Sequence, residues 1–182
     1  MKLNMNGSDD PSYRYKVQGF EITNAGNGNG RFTILNNIDT ISKTINHPEQ
    51  VLCKYIANIL GSSYNEKKKT LTGHYNVMEL NKIILDYIKY VVLCPKCNIP
   101  ETIPSVFGSK KNAEIKLSCS ACKNESTIVS NNKDALKAVD IIVKYLNCGN
   151  KWEITKGIIS VETSSNELDP FMMQENLNID EI

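Results

Sequence analysis

The chain has 182 residues, 21 Lys plus Arg against 20 Asp plus Glu, a formal charge of +1 and 41% hydrophobic residues. That length holds one ordinary domain or two small ones; the charge balance argues against a globally basic nucleic-acid binder, and no run approaches the ~18 apolar residues of a membrane span. The charge is uneven, however, because the stretch from Glu162 to Ile182 carries six acidic residues and no Lys or Arg, leaving a mildly basic body before an acidic tail.

Residues 1–12 are polar and aperiodic, and are expected to form a flexible N-terminal arm. An α+β core is expected over 13–90. It opens with Tyr15, Val17, Phe20 and Ile22, passes through the loop Asn24–Gly30 and continues in a strand over Arg31–Leu35, so two extended segments are joined by a glycine-rich connection. Ile38, Ile41 and Ile45 recur at helical spacing until Pro48 stops the helix. A second helix over Glu49–Leu60 puts Val51, Leu52, Tyr55, Ile56 and Ile59 on one side and ends at Gly61. Residues 62–75 read as a hairpin with its turn near Asn65–Lys68, and Lys67, Lys68 and Lys69 as a solvated tip with ribosomal RNA phosphate as the other reading. A third helix starts at Asn76, whose spacing to Glu79 suits an N-cap, and buries Leu80, Ile83, Ile84, Tyr87 and Ile88. Residues 90–92 (YVV) are expected as a strand leading directly into the next unit.

That unit, 91–130, contains two Cys-x-x-Cys pairs, Cys94/Cys97 and Cys119/Cys122, with 21 residues between them. Each pair points two thiolates at one metal and the intervening hairpin brings the second pair back, which is the spacing of a closed, four-coordinate structural Zn²⁺ site. Four soft ligands leave no position for an activated water, so the metal supplies folding free energy instead of chemistry. Two redox pairs or two disulfides are the competing readings, and neither a signal peptide nor a thioredoxin-like context supports them. Lys110, Lys111, Lys116 and Lys123 give the ribbon a basic surface, while Cys53 and Cys148 are left as free thiols suited to a reducing, cytoplasmic compartment. Residues 131–161 are expected as a helix with Leu136, Val139, Val143 and Leu146 in register, plus a short extension packing on the body; 162–182 form an acidic disordered tail. The fold class is therefore α+β, a mixed sheet with packed helices followed by a four-cysteine zinc ribbon. His47 and His74 have no second ligand at metal spacing and are not expected to be catalytic.

The order SYRYK, GNGNG, NNIDTISKTINHP, KYIANILG, YVVLCPKCNIPET and LSCSACKNES resembles the family of eukaryotic translation initiation factor 5 and the beta subunit of initiation factor 2, and within it the amino-terminal half of factor 5, over about residues 10–148. The resemblance implies a GTPase-activating role toward initiation factor 2 (its gamma subunit, with the beta subunit alongside) in the ternary complex on the small ribosomal subunit. In Tyr13-Arg14-Tyr15-Lys16 it makes Arg14 the arginine finger, and it carries a second functional Lys onto Lys54. By the residues alone, Arg14 reads as a surface Arg between two packed Tyr rings. The segment Gly26, Asn27, Gly28, Asn29, Gly30, Arg31, Phe32, Thr33 is not a P-loop, since no GK[ST] follows, and reads as a plain connection; the resemblance adds a weak GTP or GTPase contact there. The sequence departs from the family at Phe32, where a Lys is usual. It is also expected to stop before the carboxy-terminal helical-repeat domain, and its end, Asn178–Ile182, faintly resembles the terminus of initiation factor 1A. A non-catalytic beta-subunit-like scaffold or competitor is the alternative function, and a monomer is the expected state.

Overall fold

The computed structural model describes residues 1–108, 114–128, 132–150 and 152. Lys110, Lys111 and the expectations for 153–182 lie outside these residues. Among the described residues, nine strands and four α-helices follow in chain order: β1 Lys2–Asn4, β2 Lys16–Gln18, β3 Ile22–Ala25, β4 Phe32–Leu35, α1 Ile38–Ile45, α2 Glu49–Leu60, β5 Tyr64–Asn65, β6 Thr70–Thr72, α3 Val77–Val91, β7 Thr102–Phe107, β8 Glu114–Cys119, β9 Glu125–Thr127 and α4 Lys133–Asn147. The strands form three sheets, ordered β1-β2, β3-β4-β6-β5 and β7-β8-β9. Every pairing among them is antiparallel, so the sheet expected as mixed has one sense throughout. The short glycine-rich connection allows only that sense between β3 and β4.

The helices follow their sequence signals. α1 buries Ile38, Ile41 and Ile45 and ends at Asn46 in the left-handed region. α2 ends at Gly61, also left-handed with φ 61°, which lets the chain reverse without a Cβ clash. α3 opens on Asn76, whose side chain accepts the Glu79 N–H at 2.7 Å, satisfying one of the donors a helix start leaves free. Its apolar run does not stop at Tyr90. Val91 is helical and Val92 caps the helix, so the YVV expected as a strand closes α3. The buried stripe of α3 repeats into this last turn, and three β-branched or aromatic residues are too few to break a helix already nucleated.

In the four-stranded sheet, alternation puts Thr33, Leu35 and Leu71 on the helix side and leaves Phe32, Ile34 and Thr70 only partly covered. One contiguous core joins Leu35 and Leu71 to α1, α2 and α3, and it extends through Leu93 to Ile115 and Leu117 of β8. α4 packs on α2, α3 and β8, which ties the ribbon to the body. Its buried residues are Ala135, Ala138, Ile141 and Ile142, while Leu136 is 51% exposed. The stripe is thus turned by about one residue from the expected Leu136-Val139-Val143-Leu146 register. Small Ala135 and Ala138 let the helix sit close to its neighbours, a packing gain that a hydrophobicity pattern does not register. Residues 1–12, expected as a flexible arm, contain β1 and a turn in which Asn4 Nδ2 donates to the carbonyls of Ser8 (2.6 Å) and Asp10 (2.7 Å). No helix among the described residues is long and apolar enough to cross a membrane.

Candidate metal centre and the segment docked on it

The four cysteines converge as their spacing requires. Cys94, Cys97, Cys119 and Cys122 place their sulfurs within 4.8 Å of one another, with Cys94–Cys122 and Cys97–Cys119 each at 3.7 Å. Sulfurs about 2.3 Å from a tetrahedral Zn²⁺ lie about 3.8 Å apart, whereas a disulfide requires about 2.05 Å. The donor set therefore fits a single Zn²⁺ and not two disulfides. The two knuckles share one backbone plan. In each, the residue after the second Cys has positive φ, 56° at Asn98 and 57° at Lys123, and donates its N–H to the carbonyl of the first Cys, Asn98 to Cys94 at 2.9 Å and Lys123 to Cys119 at 3.0 Å. At Cys94, desolvation raises the thiol pKa, but the N–H groups of Cys97 and Lys96 and the neighbouring thiols outweigh it and bring the group down to about 7. Desolvation, helped by the other thiols, pushes Cys97 up to about 12. A bound dication would hold the four sulfurs together as thiolates. Zn²⁺ held here cross-links the ribbon.

The segment Tyr13–Lys16 lies against the first knuckle. Tyr15 Oη donates to Glu101 Oε1 at 3.0 Å, and Tyr13 Oη faces the Asn98 carbonyl at 3.5 Å. The two rings are 6.1 Å apart, tilted at 59°. Burial, then the Glu101 carboxylate, raises the Tyr15 phenol above its ordinary value and keeps it a donor at neutral pH. The backbone is held as well: Met5 N–H donates to the Tyr15 carbonyl at 3.1 Å, and Lys16 Nζ donates to the Pro11 carbonyl at 2.7 Å. Just beyond, Asn81 Oδ1 accepts the Phe20 N–H (2.8 Å) and Asn37 bridges the Gly19 carbonyl and the Glu21 N–H (both 2.9 Å). These two asparagines went unrecognised in the sequence because mid-chain Asn has many uses, and only the tertiary approach of 19–21 to α1 and α3 selects this one. Between its docked neighbours Arg14 is exposed, and among the described residues it makes no hydrogen bond or ion pair.

Lys54 is exposed on α2, and no hydrogen bond among the described residues joins that helix to Tyr13–Lys16. The glycine-rich segment is the β3–β4 connection, with a single tight turn at Gly28–Gly30. Gly26 has φ 79°, and a Cβ there would lie 2.1 Å from the Gly30 carbonyl oxygen, so glycine is a steric requirement of this turn. Arg31 Nε donates back to the Gly28 carbonyl at 3.1 Å. Gly26 to Arg31 are exposed and Phe32 is half-buried, but Thr33 is buried. Its Oγ1 lies 2.6 Å from Asn24 Oδ1 and 2.8 Å from the Gly73 carbonyl and accepts the Tyr75 N–H. Thr33 thus pins two strands and drops out of the expected nucleotide contact, because strand alternation turns it inward. Of the two histidines, His47 is buried with Nδ1 2.8 Å from Tyr87 Oη, and His74 meets the Ala25 carbonyl; neither approaches the metal site.

A family model for the domain found in initiation factors 2B and 5 matches residues 5–125. Among curated proteins, the chain is 35% identical over 127 residues to eukaryotic translation initiation factor 5 of Caenorhabditis elegans, covering 67% of this chain and 28% of that protein. It is 32% identical over 136 residues to the factor 5 of Drosophila melanogaster, 72% of this chain and 29% of that one. Translation initiation factor 2 subunit beta of Archaeoglobus fulgidus is 37% identical over 95 residues, 51% of this chain and 66% of that subunit. The chain spans less than a third of the length of these two factor 5 relatives.

Proposed function

We propose a function from one premise: the chain belongs to the family defined by the domain found in initiation factors 2B and 5. It acts in translation initiation as a factor-5-like GTPase-activating protein for initiation factor 2, engaging the ternary complex on the small ribosomal subunit in the cytoplasm, with Arg14 as the finger supplied in trans. The observation that carries this reading is an exposed guanidinium between two tyrosines whose hydroxyls face the zinc knuckle. A planar, permanently charged group on a fixed base is suited to the phosphate oxygens on which charge accumulates during phosphoryl transfer. Such a finger is worth about 10³ to 10⁵ in rate, about 4 to 7 kcal/mol of barrier. The chain turns over no substrate of its own. Exposed Lys54 and the Gly26–Phe32 loop are further contact points for the same partner, and the glycine loop's free edge is the candidate contact with the GTPase or its nucleotide.

A second reading is favoured by Phe32, which stands where the family usually carries Lys, and by Arg31, which is folded onto its own loop. In that reading the chain is a non-catalytic scaffold or competitor on the same complex. Binding and single-turnover GTP hydrolysis measured together separate the two. The finger reading predicts that the chain binds the ternary complex and speeds hydrolysis, and that Arg14→Ala keeps binding and loses the stimulation; binding without stimulation by the intact chain establishes the scaffold.

A further inference from the structure

Glu101 makes two bonds in different directions. Its carboxylate accepts the Tyr15 hydroxyl at 3.0 Å, and its carbonyl accepts the N–H of Ser120 at 2.8 Å. Ser120 follows Cys119, so the second bond closes the first knuckle's exit onto the second knuckle. Thr102 next to it is buried and donates its hydroxyl to the Val92 carbonyl at the end of α3, at 2.8 Å. Glu101 is therefore fixed from behind by both the ribbon and the longest helix of the body, and what it presents forward is one oxygen to the ring beside Arg14.

We propose that Glu101 is a positioning residue for Arg14, fixing the Tyr13–Lys16 segment to the metal-bearing knuckle so that the guanidinium is presented outward. This rests on the reading of Arg14 given above. The side chains on either side of Arg14 both turn to the knuckle, Tyr13 to Asn98 and Tyr15 to Glu101, which leaves the residue between them facing solvent. A free Arg at the same position samples many orientations and loses that freedom on engaging phosphate; a docked one has lost part of it beforehand. A charged acceptor makes a stronger bond to a phenol than a neutral one, and an acceptor on a cross-linked ribbon moves less than one on a loop.

Arg14 is itself a trypsin site, so native-state cleavage of the Arg14–Tyr15 bond, followed by mass spectrometry on the zinc-loaded chain, reads the docking directly. Glu101→Ala is expected to speed that cleavage about three- to tenfold, as loss of one partly exposed hydrogen bond would. Tyr15→Phe, which removes the same bond without touching the ribbon, is expected to match it, and the double variant should add nothing further. Glu101→Gln keeps a neutral acceptor oxygen in place and should restore part of the slow cleavage. Zinc content measured alongside separates docking from a damaged ribbon, since a purely structural role for Glu101 would lower zinc content and leave Tyr15→Phe unaffected. Equal cleavage in the intact chain, Glu101→Ala and Tyr15→Phe overturns the proposal. Hydrolysis decides the underlying reading separately: if cleavage follows the expected order while Arg14→Ala still stimulates GTP hydrolysis fully, the docking stands and the finger does not.

Discussion

The imidazole of His47 is enclosed by the rings of Tyr87 and Trp152, whose centroids lie 5.4 and 4.7 Å away, and its Nε2 is buried with no hydrogen-bond partner among the described residues. Desolvation pushes its pKa down to about 3 from 6.5. Between those values the unfolded chain binds a proton that the folded chain refuses. The contribution to stability is therefore fully present above about pH 6.5 and falls as the pH drops toward 3. About 2 kcal/mol should be lost between pH 7 and pH 5. Urea unfolding followed by Trp152, the single tryptophan of the chain, measures this; His47→Phe should flatten that part of the pH dependence, and an unchanged slope would contradict it. Asn81 offers a second test. Replacing it with Leu leaves the buried Phe20 N–H without its acceptor, at a cost of about 1 to 3 kcal/mol in unfolding free energy. Neither role was legible in the sequence. A His before a Pro and an Asn inside a helix acquire partners 40 and 61 positions away only when the chain folds, and local pattern carries no record of that.

Among the elements, those whose limits are set by local chemistry were readable and those set by distant packing were not. Pro48, Gly61 and the Asn76–Glu79 cap mark the end of α1, the end of α2 and the start of α3 because each acts within a few residues of itself. The cysteine spacing likewise specified the metal centre, since two knuckles and a hairpin admit little else. β1 is three residues long, too short for an alternation signal, and exists because Leu3 and Met5 can pack once β2 offers a partner. The facing side of α4 depended on which neighbour it meets. Because β8 and α4 share one core with the body, removing the metal should loosen more than the knuckles. Chelation should release about one Zn²⁺ per four-cysteine site and abolish hydrogen-exchange protection across β7, β8 and β9, weaken it in α4, and spare the buried face of α2. Protected ribbon strands in the metal-free chain would show that the sheet stands without its cross-link.

At the scale of the whole molecule, a helical body, a four-cysteine ribbon and an N-terminal segment meet around one exposed arginine. The body fixes the end of the segment through Asn37 and Asn81, the ribbon faces its tyrosines through Asn98 and Glu101, and the long α3 connects the two supports. The family resemblance singled out Arg14, and the geometry docks the tyrosines on either side of it. The most direct test is single-turnover GTP hydrolysis by the ternary complex on small ribosomal subunits with the folded, zinc-loaded chain, Arg14→Ala and Arg14→Lys. The account predicts that the intact chain accelerates hydrolysis, that Arg14→Ala loses about 10³ or more of that rate, and that Arg14→Lys recovers little because a point charge does not replace a planar fork. Acceleration of equal size by the intact chain and Arg14→Ala would contradict it.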